Sequence, residues 1–138
     1  MITSLLYTSK STAAAADIPA QVEHILAVAR PRNLSLGVTG ALFADRGLYA
    51  QVLEGSRESV DVLMDYIDRD PRHNGIAIVR DRQISARQFA NWSMAHVPPS
   101  RALDELLDAL ALPGEAGEGA AARFVETLRH SASALLRL

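Results

Sequence analysis

The stretch from Asn33 to Gly55, NLSLGVTGALFADRGLYAQVLEG, constrains this chain more than any other. An apolar run over Leu34 to Phe43 meets the turn residues Ala44-Asp45-Arg46-Gly47, and a second apolar run covers Leu48 to Leu53. Asp and Gly supply turn chemistry there, so the pattern predicts a β-hairpin. Alternation places Tyr49, Gln51 and Leu53 on one face of the second strand and Leu48, Ala50 and Val52 on the other. Both faces are largely apolar, which predicts a central strand covered on both sides. Gln51 is then a primary amide in a buried strand, and its donors and acceptors need partners. It bonds neighbouring backbone, or it faces the polar edge of a ligand.

The rest of the chain supplies elements to surround that strand. Ile2 to Thr8 reads as a first strand with Tyr7, Leu5 and Thr3 on one face, followed by a loop over Ser9 to Ala16. Asp17 caps a predicted helix with Pro19 in its first turn, and Ile18, Val22, Ile25, Leu26 and Ala29 form its stripe. Pro31 is expected to end that helix. Ser56 caps a second helix with a stripe of Val60, Leu63, Met64 and Ile67. The breaker cluster Asp70 to Gly75 leads to a strand at Ile76 to Val79. A polar connection over Arg80 to Arg87 follows, then a last strand within Phe89 to Val97, closed by Pro98-Pro99.

The resulting order, β-α-β-β-α-β-β, predicts an α+β, ferredoxin-like mixed sheet with two helices on one face. The other face needs its own cover. Leu103, Leu106, Leu107 and Leu110 make one amphipathic helix; Phe124, Val125, Leu128, Leu135 and Leu136 make another, with Pro113 to Gly119 as the hinge. This C-terminal pair covers the second face, or it forms a dimer interface.

Length and composition exclude several classes of function. The chain has 138 residues, 49% of them hydrophobic and 22% charged, with a net charge of −2; this is one globular domain, or one domain with an appendage. No basic block points to nucleic acid, and no apolar run is long enough to span a membrane. The N-terminus has no signal-peptide pattern, so a cytoplasmic protein is expected. There is no cysteine, which excludes disulfides, thiolate metal sites and cysteine nucleophiles. The four histidines, His24, His73, His96 and His130, lack metal-ligand spacing. Glycine-rich phosphate loops and a nucleophile elbow are absent. What remains is a small α+β domain with an out-of-place Gln, Tyr7 on the first strand, and a single Trp.

Those residues sit in five ordered pieces: LLYTSK with Tyr7, ARPRNLSLGVTGALF with Asn33, LYAQVLEG with Gln51, DRDPRHNG with His73, and FANWSMAHV with Trp92 and Met94. In them, residues 1 to 98 resemble the BLUF family, blue-light sensors that use FAD. Residues 99 to 138 resemble the helical caps of short members with no fused enzyme. The resemblance implies a non-covalent flavin between the two helices, sandwiched by Ile25 and Ile67. It further implies that Asn33, with Arg32 before it, bonds the polar edge of the ring. Asp70, Arg72 and His73 would line its tail side. Tyr7 and Gln51 would carry the light response, Tyr7 as donor and Gln51 as the amide that rotates or tautomerises. Trp92 and Met94, two residues apart, would both be able to reach the flavin side. No metal and no catalytic turnover are implied, and no adduct can form without cysteine. The output would pass to an unidentified protein partner, with a homo-oligomer possible. One rival is a cofactor-free ferredoxin-like interaction module, which has no need for Tyr7, Asn33 and Gln51 together. Another is an acyl-phosphate hydrolase on a similar fold, which would need an arginine-bearing phosphate loop after the first strand.

Overall fold

A computed structural model describes residues 1–135. The elements run β1 (Ile2–Ser11), α1 (Ile18–Leu36), β2 (Thr39–Asp45), β3 (Leu48–Gly55), α2 (Arg57–Asp68), β4 (His73–Ile84), β5 (Ala95–Val97), α3 (Arg101–Ala109) and α4 (Gly114–Leu135), with one 3-10 turn at Ala15–Asp17. The sheet order is β4-β1-β3-β2-β5. Its pairs are antiparallel except β2 with β5, which are parallel. This is the expected ferredoxin-like arrangement, with β3 at its centre.

The β2–β3 hairpin closes through Arg46 and Gly47, whose φ angles are 52° and 76°. Two successive positive φ values match the right-handed twist of the flanking strands. Along β3 the two faces separate as alternation requires. Tyr49 and Leu53 join Leu5, Tyr7 and Leu42 in a core beneath α1 and α2. Ala50 and Val52 join Leu6, Ala41 and Phe43 in a second core beneath α3 and α4. Leu103, Leu107, Phe124 and Leu128 close that second core, and Phe124 meets Phe43 edge-on at 5.7 Å. The C-terminal helices therefore cover the second face, the first of the two roles their stripes allow. Leu136 and the side chain of Leu135 lie outside the described residues. Among the described residues no helix is long and apolar enough to cross a membrane.

Several boundaries differ from expectation. Pro31 does not end α1, which continues to Leu36 and stops at Gly37, φ 68°. Proline removes one ladder bond, but burial of Ala29 and Asn33 on either side of it holds the helix together. Leu34 to Leu36 are thus helical rather than part of the hairpin. Asp17 occupies the N-cap position of α1 without a capping hydrogen bond, whereas Ser56 caps α2 through the Ser59 N–H at 3.1 Å. β4 takes in most of the expected polar connection. Its residues are polar because it is an edge strand with much of its surface in water. The last strand shrinks to three residues, and α4 begins at Gly114, inside the expected hinge.

Gly40 marks the tightest point of the sheet: a Cβ there would lie 1.9 Å from the Val52 carbonyl oxygen. Its nearest neighbours are all β3 backbone, at Val52 and Leu53, with no flexible side-chain end to yield. Gly40→Ala should therefore destabilise the fold by about 3 kcal/mol or more, in the range of severe backbone clashes. Chemical denaturation of the two proteins at one pH checks this.

Candidate functional site

A narrow cleft opens between α1 and α2 over the first core. Ile25 and Ala29 of α1 form one wall, and Ile67 of α2 forms the other. Tyr7, Leu42, Tyr49 and Gln51 are its floor, and Arg32, Asp70, Arg72 and His73 its rim. Sheet register builds the floor: Tyr7 of β1 and Leu42 of β2 flank Gln51 of β3 as direct cross-strand partners. The β1–β4 pairing slips between Leu6 and Tyr7, so a bulge lies beside the phenol.

Three side chains form a continuous relay across this floor. The Tyr7 hydroxyl donates to Gln51 Oε1, and Gln51 Nε2 donates to Met94 Sδ at 3.4 Å. All three residues are buried. The two ends of the amide are held unequally, because a thioether is a weak acceptor and a phenol a good donor. Turning the amide by 180° would set Oε1 against the sulfur lone pairs. It would also turn Tyr7 from donor to acceptor. Burial, then the nearby Asp70 charge, pushes the Tyr7 phenol well above its ordinary pKa; it stays neutral and keeps its proton.

Two consecutive residues, Arg32 on the rim and Asn33 buried beside the cleft, leave an unmatched pair of polar atoms. Asn33 is buried in α1, and its Nδ2 donates to the Ser93 carbonyl at 2.8 Å. Its Oδ1 has no hydrogen-bond partner among the described residues, nor has Arg32 Nε. The Arg32 guanidinium stacks over the Tyr66 ring at 5.2 Å, and burial lowers its pKa. A buried orphan acceptor or donor costs about 1–3 kcal/mol each. One acceptor and one donor, on consecutive residues, suit a planar heterocycle edge bearing both N–H and C=O groups. With flat aliphatic walls at Ile25 and Ile67, this donor set fits an isoalloxazine ring.

At the other end of the cleft the polar groups satisfy one another. His73 Nε2 donates to the Ile67 carbonyl at 2.9 Å, which leaves Nδ1 to accept from the Ser9 hydroxyl at 2.8 Å in the neutral ring. Asp70 accepts from the Arg72 backbone N–H at 3.0 Å and pairs with its guanidinium at 3.4 Å. Tyr49 donates to Gln21 Oε1, beside Ser11.

The structure thus gathers Tyr7, Ile25, Arg32, Gln51, Ile67, Asp70, Arg72 and His73 around one cleft, with Asn33 and Met94 buried next to it. Trp92 does not join them. It packs against the opposite core, while Met94 belongs to the core below α1 and α2. The two-residue spacing fails to bring both to one face because residues 85–94 are irregular, not a strand. Tyr49 and Gln21 were not expected at the site. Strand alternation from Gln51 would have found Tyr49; Gln21 gives no signal in sequence.

The raised phenol pKa has a consequence for stability. Tyr7 is neutral in both folded and unfolded chains below its ordinary value of 10.0, so its contribution is complete there. Above that value the unfolded chain ionises first, and stability falls as pH rises. The slope approaches about 1.4 kcal/mol per pH unit for one group. Tyr7→Phe should flatten this alkaline loss, read as Tm against pH between about pH 9 and about pH 11. An unchanged slope would show that the phenol titrates normally in the fold.

Comparison with known proteins gives this geometry a context. The family described as BLUF, sensors of blue-light using FAD, matches residues 2–95. Photoactivated adenylate cyclase subunit beta of Euglena gracilis is 33% identical over 90 residues, covering 65% of this chain and 10% of that protein. The blue light- and temperature-regulated antirepressor BluF of Escherichia coli (strain K12) is 33% identical over 95 residues, covering 68% of this chain and 23% of that protein. The matches thus span about a tenth to a quarter of the curated relatives' length. Among solved structures, BlrB, a BLUF protein in its dark state, is 36% identical with a TM-score of 0.75, over 90% of this chain and 94% of that one. BlsA in its photo-activated state is 25% identical with a TM-score of 0.81, over 94% and 95%. Since the family match runs from the first residue of β1 to the first of β5, it takes in the whole floor of the cleft, and the chain belongs to the BLUF family of blue-light sensors.

Proposed function

We propose that this chain holds FAD non-covalently in the cleft between α1 and α2 and converts blue light into a hydrogen-bond change at Gln51. The observation that carries the reading is the Tyr7–Gln51–Met94 relay in a cleft with an orphan donor on its rim and an orphan acceptor buried beside it. Ile25 and Ile67 would lie against the two faces of the ring. Asn33 Oδ1 and Arg32 Nε would meet its polar edge, and Asp70, Arg72 and His73 its tail. A bound flavin supplies the absorption of blue light and, once excited, an acceptor for an electron from a phenol. Tyr7 is placed to give that electron, and its proton already points at Gln51 Oε1. Gln51 then has a changed partner at one end and a weak one at the other, so reorienting the amide costs little there. Met94 loses or gains the Nε2 donor as a result.

Residues 1–98 form the sensing unit in this reading, and residues 99–138 the helical extension that receives its signal. From Met94 the shortest route runs through β5 and Pro98-Pro99 into α3. Proline stiffness passes displacement on rather than absorbing it. A protein partner, or a second copy of the chain, would read the altered surface; no nucleic acid and no catalytic turnover are part of the proposal.

Gln51→Leu should bind flavin and show no reversible red shift under blue light, since leucine fills the space without polar atoms. Tyr7→Phe should likewise keep the flavin and lose most of the shift. Dark-minus-lit absorption spectra decide both. A normal shift in either variant would remove that residue from the light response. Wild-type protein that stays colourless after incubation with FAD would return the reading to a cofactor-free interaction module. FMN recovered in place of FAD from the yellow protein would correct the cofactor alone.

A further inference from the structure

Residues 85–94 cross from one face of the sheet to the other. Phe89 is fully buried in the core below α3 and α4, whereas Met94 is buried in the core below α1 and α2. No helix or strand shapes this segment, so side-chain contacts must hold it. Glu54, fully buried on β3, is at their centre. Its Oε2 accepts from the Gln88 N–H at 2.7 Å, and its Oε1 accepts from the Phe89 N–H at 2.8 Å and the Thr39 hydroxyl at 3.2 Å. Arg87 braces the same corner, donating to Thr39 Oγ1 at 2.9 Å, to the Glu54 carbonyl at 2.9 Å and to the Gly37 carbonyl at 2.7 Å.

From that anchor a short path leads to the relay. The Trp92 N–H returns to the Phe89 carbonyl at 3.1 Å, and the Trp92 carbonyl accepts from Gly40 at 3.2 Å. The next two residues bring Ser93 to Asn33 and Met94 to Gln51. Gln51 and Glu54 lie three residues apart on one strand and face opposite ways. The strand that carries the amide therefore also carries the anchor of the segment that contacts it.

A carboxylate is chemically suited to this corner and poorly explained as a stabiliser. Two adjacent N–H groups need two acceptor oxygens with no donor between them, which an ionised carboxylate supplies and an amide does not. Burial nevertheless raises the Glu54 pKa despite these bonds. Buried charges are weak contributors to stability and more often fix one arrangement among several. Glu54 touches neither the cleft nor the relay, and the light response described above does not use it.

We propose that Glu54 is a positioning residue for the light switch: by clamping Gln88 and Phe89 it sets the register in which Met94 meets Gln51. The part of this concerning light rests on the function proposed above. The part concerning the Met94 contact does not.

The chain's three methionines make the test direct. Methyl-labelled methionine in the full chain, kept dark, gives signals for Met94, for Met64 in the same core and for exposed Met1. Glu54→Gln should displace the Met94 methyl resonance beyond its linewidth and leave Met64 in place. A Met94 signal coincident with wild type would overturn the proposal. Leu128→Ala, a cavity in the core under α3 and α4, controls for lost stability; if it moves Met94 as far as Glu54→Gln does, Glu54 is merely structural and the proposal falls. Should Glu54→Gln fail to fold, Thr39→Val removes one bond to the carboxylate together with the Arg87 bond to the same hydroxyl, and leaves both N–H bonds. A displaced Met94 signal with Met64 in place then supports the proposal, and an unmoved Met94 overturns it. Under blue light, Glu54→Gln should keep the flavin red shift while its Met94 signal no longer responds. A wild-type protein with no red shift would sink the proposed function, and the dark comparison would still decide the role of Glu54.

Discussion

Strand β3 is covered on both faces, and each face carries one polar side chain that water cannot reach. Gln51 faces the core under α1 and α2, and Glu54 faces the core under α3 and α4. Neither could remain there without partners, because an unpaired buried amide or carboxylate costs several kcal/mol. The surrounding fold is arranged to supply them. β1 brings Tyr7 opposite Gln51 by register. Residues 85–94 bring two backbone N–H groups to Glu54 and a thioether to Gln51. A one-residue slip of β3 would send the amide and the carboxylate each to the other's core. The hairpin turn at Arg46-Gly47 and the close approach at Gly40 both oppose that slip.

The irregular segment between β4 and β5 follows from the same requirement. A regular strand would spend its backbone groups on a neighbour in the sheet. Here side chains take several of them: Glu54 holds the N–H groups of Gln88 and Phe89, Asn33 the Ser93 carbonyl, and Arg30 the Met94 carbonyl at 3.1 Å. Freed from the ladder, the segment can wind from one face of the sheet to the other. It places Phe89 and Trp92 in one core and Met94 in the other. Alternation rules fail here for a physical reason: the backbone bonds that enforce period two are absent.

That failure also shows how much was legible in sequence. The hairpin, the central position of β3 and the two-sided burial follow from local periodicity, which is strong in those elements; the C-terminal stripes fit a cover and a dimer interface alike. Pro31 misled because propensity is a local rule and burial of Ala29 and Asn33 is a tertiary one. The cleft residues Tyr7, Ile25, Gln51 and Ile67 were visible through alternation, helical stripes and family resemblance. Gln51 alone was anomalous without any resemblance, as a lone amide in an apolar strand. Glu54 carries the same kind of signal, a charge inside an apolar run before Gly55, but it reads as a strand end until its partners are seen. Those partners, backbone N–H groups some 35 residues away in sequence, have no signature in residue type.

The energetics of the relay limit what a change at Gln51 can transmit. A net intramolecular hydrogen bond contributes about 0.5–1.5 kcal/mol, and the Nε2 contact to sulfur is at the weak end. Reorienting the amide alters one strong and one weak contact, so the bias it can place on Met94 is on the order of 1–2 kcal/mol. Such a bias moves a two-state equilibrium by roughly five- to thirty-fold. It cannot carry a population from 1:99 to 99:1, which needs about 5.5 kcal/mol. For the switch proposed at Gln51, a useful response would therefore require two arrangements of residues 85–94 that are already close in free energy. A buried carboxyl group whose desolvation opposes its own hydrogen bonds is suited to that balance. It fixes where the segment sits without adding much to how firmly it stays, and so leaves a small change at Gln51 able to matter.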